Sequence, residues 1–159
     1  MTGNGGPALV LDADIETKLA GGGVGTGIAY PVTAGAAFAG NYGLEFTQNL
    51  NGTLADTSGE MSADAVLQTL SGTVDTNSSF TPQPPTPLSG SFLASTVAGR
   101  LDGILSNQNF PADLAVAFYP VDSSRGFFVE NDGGSSGTNP GNLTFGYYET
   151  RTPVCPGCP

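Results

Sequence analysis

Residues 41–61 read NYGLEFTQNLNGTLADTSGEM. In the first eight, Tyr42, Leu44 and Phe46 fall on one face, and Glu45 and Thr47 fall on the other. A period of two marks a strand with one buried side. Asn51-Gly52 comes next, a pair suited to a two-residue hairpin turn because both residues tolerate positive φ. The chain resumes as TLADTSGEMSAD, so the stretch predicts two antiparallel strands joined tightly.

The same grammar runs onward through LQTLSGTVDT, PLSGSFLAS, GRLDGILS, LAVAFYPVD, RGFFVEND and LTFGYYETR, giving eight candidate strands. Leu70-Ser-Gly-Thr73 and Leu88-Ser-Gly-Ser91 repeat a local phrase, and glycine inside a strand suggests a bend where a sheet curves. Consecutive short strands of this kind predict an all-β domain over residues 28–151. Its expected form is an eight-stranded antiparallel barrel or barrel-like meander, with a β-sandwich as the alternative. TPQPPTP, residues 81–87, should be a stiff extended loop, and GGSSGTNPG, residues 133–141, a flexible one. LAVAFYP and GFFVE are apolar on both faces, so something should cover their outer side.

Upstream, ALVLDADIETKL alternates over residues 8–19, with Leu9, Leu11, Ile15 and Leu19 on one side and Asp12, Asp14, Glu16 and Lys18 on the other. A strand is favoured. A helix is the rival, because Leu11, Ile15 and Leu19 also lie four apart. GGGVGTG, residues 21–27, reads as a flexible linker, so residues 1–27 form an extension tethered to the barrel. Asp12, Asp14 and Glu16 could hold a hard cation, but a solvated face is the plainer reading.

The last eight residues, 152–159, hold both cysteines, Cys155 and Cys158. Two thiols without a histidine leave a zinc site half built. A C-x-x-C in a proline-rich tail, not at a helix start within a strand-helix-strand unit, does not read as a redox site. A disulfide remains, either a local clip or a link between subunits.

Of the 159 residues only 11% are charged, 14 acidic against 4 basic, for a net charge of −10. That balance argues against nucleic acid and anionic membranes as partners. With 24 glycines and 12 prolines, the polar but uncharged composition suits a secreted β protein. The opening MTGNGGPALV lacks the basic start and apolar run of a signal peptide, so a secreted protein would begin elsewhere or be a mature form. No apolar run is long enough for a membrane-spanning helix. Asn51-Gly-Thr, Asn77-Ser-Ser and Asn142-Leu-Thr are possible N-glycosylation acceptors.

Catalysis finds little footing. There is no histidine, and Lys18 is the only lysine. Glu45 and Asp56 could be imagined as an acid–base pair, but nothing in their spacing selects them. No enzyme, cofactor or bound metal is expected. Arg100 and Glu130 are the charges most embedded in strand patterns and could pair inside the barrel.

GNYGLEF, SGTVDTN, LSGSFLAS, AGRLDGIL and AVAFYPVDSSRGFFVEND, followed by a closing Gly-rich turn, come in an order that resembles a β module of large secreted or surface proteins of acidobacteria. The resemblance covers roughly residues 36–150. It implies an extracellular, non-catalytic module and brings no catalytic residues with it. The N-terminal segment and the CPGC tail lie outside it.

Two functions follow as expectations. The first is a structural subunit of an extracellular fibre or surface assembly, in which Leu9, Leu11, Ile15 and Leu19 register a strand added to the next copy. The second is a secreted barrel that binds a small apolar molecule or sugar among Tyr42, Phe46, Phe118, Phe128 and Tyr147.

Overall fold

The computed structural model describes residues 8–12, 25–29, 36–50, 53–78, 81–110, 113–131 and 143–151. Among these, every regular element is a strand. They are β1 (Ala8–Asp12), β2 (Gly25–Ala29), β3 (Gly40–Leu50), β4 (Thr53–Asp64), β5 (Thr69–Ser78), β6 (Thr81–Pro82), β7 (Thr86–Ala94), β8 (Leu101–Ser106), β9 (Leu114–Pro120), β10 (Arg125–Glu130) and β11 (Leu143–Thr150). The chain forms two compact units, Met1–Val32 and Thr33–Pro159.

In the second unit the eight predicted strands are the eight staves of a closed antiparallel barrel. β3, β4, β5, β7, β8, β9, β10 and β11 pair in succession, and β11 returns to β3 from Leu143↔Asn49 to Thr150↔Tyr42. Leu50 pairs with Thr53, so β3 and β4 form the antiparallel pair expected; Asn51 and Gly52, the expected turn, lie outside the described residues. Other turns are held by side chains that imitate a backbone turn. Asp64 Oδ1 accepts from the amides of Val66 (2.8 Å) and Leu67 (2.9 Å), and Asp122 Oδ1 accepts from those of Ser124 (2.8 Å) and Arg125 (3.1 Å).

Alternate residues point inward. Tyr42, Leu44, Phe46, Met61, Leu70, Val74, Leu88, Phe92, Leu105, Val116, Phe118, Phe128 and Tyr148 belong to one buried cluster. Two further members come from outside the strands. Phe38, ahead of β3, packs on Phe92, Tyr148 and Phe118 at centroid distances of 4.9, 5.0 and 5.1 Å. Phe110, in the β8–β9 connection at the opposite end, packs on Phe46 at 5.9 Å. Each end of the barrel is thus plugged by a phenylalanine from a loop. Near the Phe110 end the lining turns polar: the Thr57 and Thr76 hydroxyls share a 3.2 Å hydrogen bond, and Asn107 donates to Thr86 at 2.7 Å.

Glycine gives the barrel its tight curvature. Gly72 sits in register between Met61 and Leu88, Gly90 between Leu70 and Leu105, and Gly146 between Phe46 and Phe128. Small therefore faces large on both sides, which lets bulky neighbours fill a narrow lumen. A Cβ at Gly72 would lie 1.9 Å from the Glu60 carbonyl oxygen, and one at Gly90 would lie 2.2 Å from that of Ile104. Backbone from the next strand occupies the space a side chain would need.

Three expectations are corrected. Residues 81–87 are not wholly loop: Thr81–Pro82 pairs with Asn77 and Ser78 as β6, outside the ring, and Thr86-Pro87 opens β7. Gly25–Gly27 is not linker, because β2 pairs antiparallel with β1 from Ala8↔Ala29 to Asp12↔Gly25. A backbone ladder needs no side chains, so a glycine-rich segment can complete one when an apolar strand lies opposite. Arg100 does not pair with Glu130. Its guanidinium reaches Asp102 two residues on, with Nε 2.7 Å from the carboxylate.

Candidate functional site: the barrel's outer wall

The outward positions of the ring divide into two halves. On β3, β4 and β5 they are mainly polar, with Glu45, Ser58 and Asp75 in one register row and Thr47, Asp56 and Asn77 in the next, and with Leu54 as an exposed apolar exception. On β9, β10 and β11 they are mainly apolar, with Arg125 and Glu149, opposite each other in register, as charged exceptions at one end. Tyr119, Phe127 and Tyr147 lie side by side across the three strands, and Ala117, Val129 and Phe145 form the adjoining row. Apart from Ala117, which is buried, these side chains are large and open: Phe145 is 60% exposed, Tyr147 47% and Phe127 39%. Ile104 on β8, 45% exposed and in register with Ala115 of β9, extends the surface by one strand. No charged residue stands in these two rows. Large contiguous apolar surface on a folded domain usually marks a place of contact.

The rim is polar and tied down. Tyr147 donates its hydroxyl to Glu45 at 2.9 Å, and that hydrogen bond, with the carboxylate's charge, holds the phenol proton on more tightly than usual. Arg100 and Asp102 border the β8 side. The Ser95 hydroxyl and then Arg100 keep the Asp102 carboxyl below its ordinary pKa. On the polar half, Thr47 donates to Asp56 at 2.9 Å, and Arg151 pairs with Glu60. Glu45 and Asp56 are both exposed and line a depression of about 390 Å³ with Asp75, Asn77 and Gln83. Among the described residues no group of His, Cys, Asp or Glu could hold a metal ion.

The residues expected to line a ligand cavity do something else. Tyr42, Phe46, Phe118 and Phe128 point inward but touch other rings: Phe118 and Phe128 lie 5.6 Å apart, Phe46 and Phe128 5.5 Å, and Tyr42 and Tyr148 5.0 Å. Tyr147 points outward. Its neighbour Tyr148 takes the inward place, since LTFGYYETR holds two adjacent tyrosines and the alternation admits only one. Leu9 and Leu11 lie in β1. Ile15, Leu19, Cys155, Cys158, Asn51 and Asn142 lie outside the described residues. Asn77 is exposed near the end of β5.

Reading the sequence as strands missed the plugs Phe38 and Phe110, because neither belongs to an alternating run. It also missed Gln48 and Thr144. These face each other across β3 and β11, both buried, and Gln48 Nε2 and Thr144 Oγ1 have no hydrogen-bond partner.

Comparison with protein-family models, with curated proteins and with solved structures finds no match for this chain.

Proposed function

We propose that this protein is a structural subunit of an extracellular fibre or cell-surface assembly, and that its copies meet through the apolar half of the barrel wall and the N-terminal segment. The observation that carries this reading is the group of exposed apolar side chains Tyr119, Phe127 and Tyr147 in one row and Val129 and Phe145 in the next. Burying a ring such as Phe145 against a second copy gains about 25 cal/mol per Å² of apolar surface removed from water. Charge is confined to the margins, at Glu45 bonded to Tyr147 and at Arg125 and Glu149, so the gain is least offset at Phe145 and Val129. A lipid-facing barrel would need an apolar belt all the way round, whereas Glu45, Asp56, Glu60 and Asp75 point outward on the other half.

Support for an extracellular setting comes from composition, from the exposed acceptor Asn77, and from Cys155 and Cys158, which we take as a disulfide. The rival reading, a barrel that holds a small apolar molecule or sugar, has the packed rings of the interior against it.

Sedimentation velocity and negative-stain microscopy of the full chain test the proposal. The wild type is expected to run as polymers. The double variant Phe127→Lys, Phe145→Lys is expected to shorten them while leaving the barrel's unfolding midpoint nearly unchanged, because both side chains are exposed. A wild type that stays monomeric at every concentration and redox state sinks the reading. Loss of polymers on reduction alone would assign Cys155 and Cys158 as links between copies.

A further inference from the structure

We infer that the edge of β1 away from β2, which no other described strand pairs, binds the same edge of a second copy, antiparallel, with the two-fold axis at Val10. This rests on reading the protein as an assembling subunit, and it changes how the N-terminal strand is used. A closed ring has no free edge, so β1 cannot join the barrel sheet of a neighbour. β6 offers an edge of only two residues, one of them Pro82, which has no amide to donate. The remaining open edges among the described residues belong to the ribbon β1–β2.

Two strands alone are at best marginally stable in water, and a third or fourth strand supplies what is missing. The two edges of the ribbon differ in quality. β1 reads ALVLD, four apolar residues with its only charge at the end. β2 reads GTGIA, with two glycines that offer little to a partner. β1 is therefore the adhesive edge.

Charge then selects the direction of pairing. Parallel, in-register strands would set Asp12 against Asp12 of the second copy, and like charges directly opposed are unfavourable. Antiparallel strands in full overlap set Asp12 against Ala8, Leu9 against Leu11 and Val10 against Val10. The product is a four-stranded sheet, β2-β1-β1-β2, with a self-complementary interface. A two-fold contact alone stops at a dimer. The apolar wall is a second, separate contact, and two different contacts per copy propagate a chain.

The test uses Val10→Lys and Val10→Asp, each made in the full chain carrying Phe127→Lys and Phe145→Lys, so that only the β1 contact remains. The parent should be a dimer. Each Val10 variant alone should raise the apparent dissociation constant roughly fivefold or more, since it sets like charges opposite one another. Mixing the two variants should restore dimers, a rescue that a merely unfolded hairpin would not give. If the dimer survives Val10→Lys, or if mixing restores nothing, the β1 inference is overturned and the assembly reading stands on the wall alone. A wild-type chain that never associates overturns both.

Discussion

At Gly72 the carbonyl of Glu60 stands where a side chain would begin, 1.9 Å from the ideal Cβ position. Gly72→Ala must therefore spread β4 from β5 and should cost about 1–3 kcal/mol or more, as overpacking does. Gly43 is the control, since it points outward and its nearest Cβ neighbour is 3.7 Å away, so Gly43→Ala should be near neutral. Chemical unfolding of both variants checks the contrast. Tyrosine supplies a second test. Burial pushes the Tyr148 phenol far up and Tyr42 up as well, the latter opposed by its bond to Ala39. A phenol whose folded pKa lies above its unfolded value of about 10 keeps its proton in the folded state. Its contribution is complete below that unfolded value and is lost as pH rises through the folded one, so stability should fall at alkaline pH. The Tyr148 hydroxyl is buried with no hydrogen-bond partner. Tyr148→Phe should be neutral or stabilising by about 1 kcal/mol and should flatten the alkaline decline, read from urea midpoints across a pH series. That glycines would mark curvature was legible in the sequence. Which neighbour each one faced was not, because register across strands is a property of the closed ring.

Strands were the most legible elements. Period-two alternation and turn residues gave all eight staves, since a strand with one buried face must repeat every second residue. Elements without that signature escaped notice. Gly25–Gly27, the first part of β2, has no alternation and reads as linker, and Thr81–Pro82 is too short to carry a pattern. The plugs escaped for a related reason: Phe38 and Phe110 act singly from connecting segments. Their weight should still show in stability. Phe38 touches four rings and is 4% exposed, so Phe38→Ala should cost about 3–5 kcal/mol. Phe110, 8% exposed and near the polar end, should cost less when truncated. Thermal denaturation that ranks the two in the opposite order would show that the ends are not sealed as described.

For the molecule as a whole, the apolar wall was foreshadowed by LAVAFYP and GFFVE, each apolar on both faces. The third strand of the wall was harder to see, because in LTFGYYETR the face assigned to Tyr147 was the wrong one. A net charge of −10 opposes any gathering of copies. That repulsion falls with added salt, whereas apolar contact does not, so the sedimentation experiments belong at moderate ionic strength. One further consequence lies in the seam between β3 and β11. Every other join in the ring links strands that follow one another along the chain. Glu45 and Tyr147, bonded across the seam, stand 102 residues apart. Local hairpins close quickly, and distant ends must wait for everything between them to be in place. Folding should thus proceed as an open, curling sheet whose two margins meet last. Until they meet, those margins are free to find the margins of another chain, and the hazard of mispairing lies in that interval rather than in the finished barrel.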